Sequence, residues 1–447
     1  MTGPKNVFVV GLDEHNRMLL EGMPDAAQYR FHAVFTYEEI YREVISFDEL
    51  LTEAEEMLDA FDGSIDAIIG FWDFPVTALV ALLRPRYGLA ATSLTELLKC
   101  EHKYWSRLVQ QEVIEEYPHF ALVDLDSDAR PPEELHFPMW IKPVKSFASM
   151  LAFGVADEES FAAALAEIRD GIGRIARPFK ELLRRAELPA QIAAVGGQAC
   201  LVEEAITGRQ VTVEGYRHRG EIVIYGIVDS IHYDDSPSFL RYQYPSTVPE
   251  NVQHRLADIS ARVVEAIGLE GLTFNIEFFW DPGTDAVTVL EINPRHSQSH
   301  AELFADVDGT SNHELLLRLS LGLDPVIHPG QGRYRIAGKC FLRHFTDGII
   351  RRHPSQEEVA TIERLVPATT IDLTAHTGDR LSRMHGQDSY SYQLASIYIG
   401  AEDEAELMKK FDQVATALPY EIEDVECEDD HDSLLPALIR RPVTDQE

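Results

Sequence analysis

Three side chains near position 290 have the types and spacing of a site that binds charge. In TVLEINPRHSQSHAEL (288–303), apolar residues lead into Glu291, Asn293 and Arg295, with Pro294 between the last two. A buried strand has little use for these groups, whereas a strand end facing a metal ion and a phosphate has use for all three. Upstream, FNIEFFWDPGTDAVTVLEINPR carries its own turn, DPGTD, between apolar runs. Folding the segment about Thr284 sets Glu277 opposite Glu291, and alternation puts Asn293 on the same face. Two facing carboxylates repel, so a cation between them is expected. Carboxylate and amide oxygens select Mg2+ or Mn2+ over zinc. Pro294 ends the ladder, and Arg295 emerges where its fork can reach a phosphate or carboxylate. An acidic surface hairpin is the bland alternative, and a slip of one residue would flip the faces.

Lysine is scarce, with nine among the 39 basic residues, so each lysine in an apolar setting is informative. Lys142 ends the run FPMWI, and Lys103 in EHKYWSRL reads as a mid-helix residue beside aromatics. Each could present a fixed ammonium to a phosphate or simply snorkel. In LVEEAITGRQVTVEGY, Glu203 and Glu204 end a strand and Gly208 turns before the next, a bend that offers backbone groups to an adenine edge.

The elements that must position these residues fall into three segments. Over the first hundred residues, VFVVGL (7–12), AVF (33–35) and IDAIIGF (65–71) read as buried parallel strands. Helices are expected between them at 46–61 and 74–88, which makes an open α/β domain, and no GxGxxG is present. One helix is expected over 93–113, with Ser93 as N-cap and Glu96 completing a capping box. Strands rich in β-branched and aromatic residues follow at 137–144, 199–206, 210–218, 220–232, 272–280 and 286–293, with helices at 160–172 and 249–268. From about 331 come two further strands, RIAGKCFLRHF and YQLASIYIGA, and a helix at 402–418. The acidic tract 421–432 reads as a solvated tail or surface strand.

Composition bounds the partners. The formal charge of −36 repels nucleic acid and anionic membranes, and it is compatible with a salt-adapted source or an acid-rich lineage. No run approaches the roughly 20 apolar residues of a membrane span, and the N-terminus reads as a strand rather than a secretory signal. Cys100, Cys200, Cys340 and Cys427 are scattered without zinc spacing, as expected of reduced thiols in a cytoplasmic protein.

In this order and spacing, the helix carrying Lys103, WIKPV, LVEEAITG and NIEFFW…LEINPR resemble the ATP-grasp superfamily, over nearly the whole chain. The resemblance implies a mixed α/β and α+β ATP-grasp fold. Residues 1–100 would form an N-terminal open α/β domain and 101–330 the nucleotide-binding domain, with a lid at about 138–206. Residues 331–447 would be an α+β segment completing that domain, with an acidic tail. It further implies ATP and Mg2+ (or Mn2+), with Lys103 and Lys142 on the phosphates and Glu203 accepting from the adenine amine. The Glu204 and Ile206 backbones would hold the ring edge; Glu277, Glu291 and Asn293 would bind the metal. Arg295 would steady the transferring phosphoryl group, and Arg241 in SFLRYQYPSTVP would replace a phosphate-binding lysine.

Several positions depart from the family pattern. Gln210 stands for the usual ribose-binding Glu, and His102 for an Asp. The lid loop VKSFASMLAFG lacks a glycine run, leaving Ser146 and Ser149 as its hydroxyl donors to phosphate. The implied reaction is ATP-dependent activation of a carboxylate as an acylphosphate for attack by an amine, ADP-forming, with Ser297 and His300 lining the acceptor pocket. The C-terminal segment looks most like ligases that join amino acids. The alternatives are a biotin-carboxylase-like enzyme, in which Ser299 would stand where that group keeps its carboxylate base, and a non-catalytic ATP-binding regulator. The expected partners are small-molecule carboxylates and amines, with oligomeric state open and a homodimer one option.

Overall fold

A computed structural model describes residues 3–41, 46–125, 129–146, 151–234, 236–384, 387–388 and 390–425. Three parallel strands, in the order Tyr29–Val34, Lys5–Val10, Ala67–Ile69, form the first sheet. The helices Phe47–Asp59 and Val76–Arg86 follow its second and third strands. AVF marks only the end of its second strand: Tyr29, Arg30 and His32 lie along an edge that is not fully buried, so the apolar pattern understates its length.

A small antiparallel sheet follows, in the order Phe120–Val123, Cys200–Glu204, Met139–Pro143, Phe153–Val155. It has its own core, in which Ile141 and Val202 meet Phe161 and Ile168 of the helix Glu158–Gly171. Its first strand lies outside the 138–206 span, because four residues carry too little pattern to be seen alone.

The third sheet has eight antiparallel strands. Their order is Ala286–Asn293, Leu272–Asp281, Arg209–His218, Glu221–His232, Phe239–Tyr244, Ile336–His344, Tyr392–Ala401, Thr369–Leu373. Of the segment after 331, Gly348–Arg352 and Glu421–Asp424 pair as a separate two-stranded sheet, while Ile336–His344, Tyr392–Ala401 and Thr369–Leu373 join the sheet that carries the hairpin. Strand alternation divides this sheet into two faces. Ile276, Phe278, Val211 and Val213 pack on Leu256 and Val263 of the helix Glu250–Ile267. The other face is polar: Gln210, Ser230, Tyr242, Lys339 and Tyr398 are successive cross-strand partners in one row. No helix among the described residues is long and apolar enough to cross a membrane. Cys100, Cys200 and Cys340 are free and buried; Cys427 lies outside the described residues.

Candidate functional site

The hairpin pairs Glu277 with Glu291 and Asn275 with Asn293. Immediately beyond, the register shifts so that Phe278 meets Val289. This bulge leaves Leu290 without a partner across the hairpin, and its carbonyl accepts from Arg107 Nη2 at 2.7 Å. Asn293 Nδ2 donates to Asn275 Oδ1 at 3.0 Å, which leaves Oδ1 of Asn293 outside that bond. Gln210 Nε2 donates to Glu277 Oε2 at 2.9 Å.

The two carboxyls have opposite electrostatics. Burial, then the charge of Glu291, pushes the Glu277 carboxyl up to about 7. Burial also opposes ionisation of Glu291, but Lys103 and Lys142 outweigh it and hold that carboxyl below the usual range. A site that raises one of two facing acids is short of positive charge, which fits a hard cation. No three His, Cys, Asp or Glu side chains converge as a metal cluster among the described residues. The available set is two carboxylates and one amide oxygen, the kind that suits a cation completing its shell with water and phosphate.

The expected single helix over 93–113 is two. Ser93 caps Leu94–Glu101 with a capping box closed by Glu96, and the chain then breaks at His102. His102 Nδ1 accepts from Trp105 N at 3.3 Å, and its Nε2 lies 3.0 Å from the Gly196 carbonyl. Lys103 is therefore the first residue of the helix Lys103–Val113, not a mid-helix residue. Its backbone N donates to Val144 O at 2.8 Å, which ties it to the end of the Lys142 strand. The Lys103 ammonium pairs with Glu291.

Lys142 Nζ lies 2.5 Å from Glu203 Oε2, and Arg107 Nε donates to Glu203 Oε1 at 2.5 Å. Burial would raise the Glu203 carboxyl, yet Arg107 and Lys142 pull it down to about 2. One crevice is lined by Lys103, Arg107, Lys142, Glu203 and Glu291. Glu204 accepts from His136 N at 3.1 Å, and Ile206 lies half-buried in the turn that follows. Gly208 closes that turn at φ +123°, where a Cβ would stand 2.4 Å from Trp280 O. Glycine is thus required for the turn to approach the hairpin.

Arg295 forks onto Asp73, Nε to Oδ1 and Nη2 to Oδ2, both at 2.9 Å. Asp73 follows the third strand of the first sheet, so this pair joins the N-terminal parallel sheet to the hairpin. Ser297 N donates to Glu214 Oε1 at 2.9 Å, and His300 Nδ1 lies 2.9 Å from the same oxygen. His300 is buried, with its ring edge-on to Tyr242.

Arg241 is not brought to this cluster. Its cross-strand neighbours are Ile231 and Cys340, on the face of Ile397 and Ile371, while its chain neighbour Tyr242 faces the site. Its guanidinium pairs with Glu404, and its Nε donates to Gln243 Oε1 at 2.9 Å. The expectation for Arg241 missed by one residue of alternation. Ser149 lies outside the described residues; Ser146 is described and buried.

Asp73, Arg107 and Glu214 went unrecognised in sequence, as did Lys145, which pairs with Glu101. Arg107 carried a signal, four residues from Lys103 on one helix face. Glu214 carried another, as an acid inside the apolar alternation VTVEGY. Asp73 had none beyond its place at a strand end.

The family model for the ATP-grasp domain matches residues 135–302. The carbamoyl phosphate synthase large chain of Paenarthrobacter aurescens (strain TC1) is 30% identical over 129 residues, 27% of this chain and 11% of that protein. The chain thus spans about a tenth of the length of the curated relatives it matches. Among solved structures, an L-amino acid ligase from Bacillus licheniformis superposes with a TM-score of 0.73 at 14% identity, covering 95% of this chain and all of that one (100%). A phosphoribosylglycinamide synthetase from Anaerococcus prevotii gives 0.62 at 13% identity, covering 94% and 100%. At these identities the superpositions establish the fold. With the family match, residues 135–302 form an ATP-grasp domain within that fold.

Proposed function

We propose that the chain is an ADP-forming ligase that activates a carboxylate with ATP and joins it to an amine, with amino acids as its substrates. In the first step a carboxylate oxygen bonds to the γ-phosphorus while the bond to the β,γ-bridging oxygen breaks, releasing ADP. In the second, the amine nitrogen bonds to the acyl carbon, the carbon–oxygen bond to phosphate breaks, and the amine loses a proton.

The observation that carries this reading is the facing pair Glu277 and Glu291 fronted by Lys103, Lys142 and Arg295 within an ATP-grasp fold. Glu277, Glu291 and Asn293 would hold Mg2+, which would offset charge on the phosphoryl oxygens. Lys103 and Lys142 supply fixed ammonium charges for the phosphates. Arg295, held by Asp73, presents a preorganised guanidinium beside the hairpin. The turn from Glu203 through Ile206 offers backbone groups to the adenine, and closure of the small sheet would exclude water from the acylphosphate.

The test is ADP release by purified protein with ATP, Mg2+ and a panel of carboxylic acids and amines. Release that requires both substrates and is lost in Glu291→Gln supports the ligase. No release above background with any combination rejects it.

A further inference from the structure

Lys339 lies on the polar face of the eight-stranded sheet, in the row that also holds Gln210 and Tyr242, and none of the ATP chemistry falls to it. Its side chain is buried. Nζ donates to Ser299 Oγ at 3.1 Å and lies 5.2 Å and 5.5 Å from the ring centres of Tyr398 and Phe341. Among the described residues it makes no other hydrogen bond and no ion pair, so two of its three N–H donors are unspent. Burial lowers the pKa of its ammonium to about 8, although Glu302 and Asp372 oppose the shift.

Three residues beyond Ser299, Glu302 has the complementary deficiency. Its Oε2 is buried without a hydrogen-bond partner among the described residues, and its Oε1 is 3.7 Å from His15 Nε2. Burial pushes this carboxyl up to about 8. Lys339 and Glu302 are close enough to influence each other's titration, yet they do not pair. A buried ammonium with free donors, held apart from a half-buried carboxyl whose buried oxygen has no partner, is a polarity in search of its complement. The cluster adjoins the hairpin site: the Tyr242 ring meets both His300 and Phe341 edge-on, at 5.0 Å and 5.2 Å, and Ser299 lies four residues after Arg295.

We propose that Lys339 and Ser299 bind the carboxylate, and Glu302 the ammonium, of a free α-amino acid that serves as the amine substrate. This subsite rests on the ligase reading for its role. It predicts that the acceptor is a zwitterion and that neutralising its carboxylate removes it from the site. Simple alkylamines lack the group that Lys339 recognises.

The experiment compares each proteinogenic L-amino acid with its carboxamide and with alkylamines, using full-length protein, ATP and Mg2+. Ligand-induced shifts in melting temperature and ADP release are both followed. At least one amino acid should bind where its carboxamide does not. Lys339→Met should weaken that amino acid at least about tenfold, the loss of one charge-assisted contact, with little change in KM for ATP. Lys339→Arg should retain the preference for the free carboxylate. Should Lys339→Met fail to fold, Ser299→Ala and Glu302→Gln give the same comparison.

Equal binding of an amino acid and its carboxamide, no binding of any amino acid, or undiminished binding by the variants overturns the subsite. Lys339-dependent amino-acid binding without ADP release from any acid–amine combination would uphold the subsite and reject the ligase. ADP release that is indifferent to Lys339 would do the reverse.

Discussion

The fork between Arg295 and Asp73 ties the segment after the N-terminal parallel sheet to the hairpin, and Asp73→Asn tests it. The substitution keeps the size of the side chain but removes the charge that faces the guanidinium, leaving at most one good acceptor for two N–H donors. Breaking a fully buried pair costs about 3–5 kcal/mol, whereas an exposed pair is worth about 0–1 kcal/mol. The side chains of Arg295 and Asp73 are 15% and 26% exposed. Solvent therefore relieves part of the penalty, and the expected loss of stability is about 2 kcal/mol. Urea unfolding followed by tryptophan fluorescence, in chelator and at fixed ionic strength, measures it. A cycle with Arg295→Gln should return a coupling of at least about 1 kcal/mol, because the double variant no longer strands a charge. Under the ligase reading, Asp73→Asn should also lower kcat more than it raises KM for ATP, since Asp73 positions the guanidinium without being placed on the nucleotide. A coupling energy near zero would falsify the account of this contact.

Three further outcomes follow from the same geometry. Glu291→Gln leaves Lys103 without its carboxylate and the candidate metal site with a single acid; Mg2+-dependent ATP affinity, measured by calorimetry, should fall at least about tenfold, and unchanged affinity would favour the non-catalytic regulator. Arg241→Gln should cost about 1 kcal/mol from its pair with the half-exposed Glu404, with KM for ATP unmoved; a large rise in that KM would return Arg241 to the phosphate site. Burial holds His102 down to about 4, so the unfolded chain binds its proton more readily than the folded one. Stability should accordingly fall as pH drops from about 6.5 to 4, by up to about 3 kcal/mol from this group. His102→Asn should flatten urea midpoints across that window, and an unchanged slope would show that other groups govern it.

How much of this was legible beforehand depended on whether a signal was local. The hairpin was: DPGTD marks its turn, and folding about Thr284 sets Glu277 against Glu291, the register observed from Asn275 to Glu277, whereas between the bulge at Leu290 and the turn the pairs are one residue off. Ser93 and Glu96 likewise announce a capping box in four residues. The break at His102 was written in the same stretch but masked, because Leu97, Leu98, Trp105 and Val109 keep helical spacing on either side of it and suggest continuity. Arg241 shows the opposite failure. Its segment is polar and aromatic, with no alternation strong enough to assign a face, and the sheet turned it toward Glu404.

By itself, then, the sequence determined the order of the segments, the turn that pairs the acids, and the position of Lys142 at the end of an apolar strand. Those features rest on periodicity and turn chemistry, which act over a few residues. Only the tertiary structure decided that Asp73 meets Arg295 across 222 positions, that Glu214 gathers Ser297 and His300, and that Lys339 and Glu302 come near each other without pairing. Such contacts depend on how the sheets stack, and the free energy that selects the stacking comes from apolar residues distant in sequence from the charges it brings together.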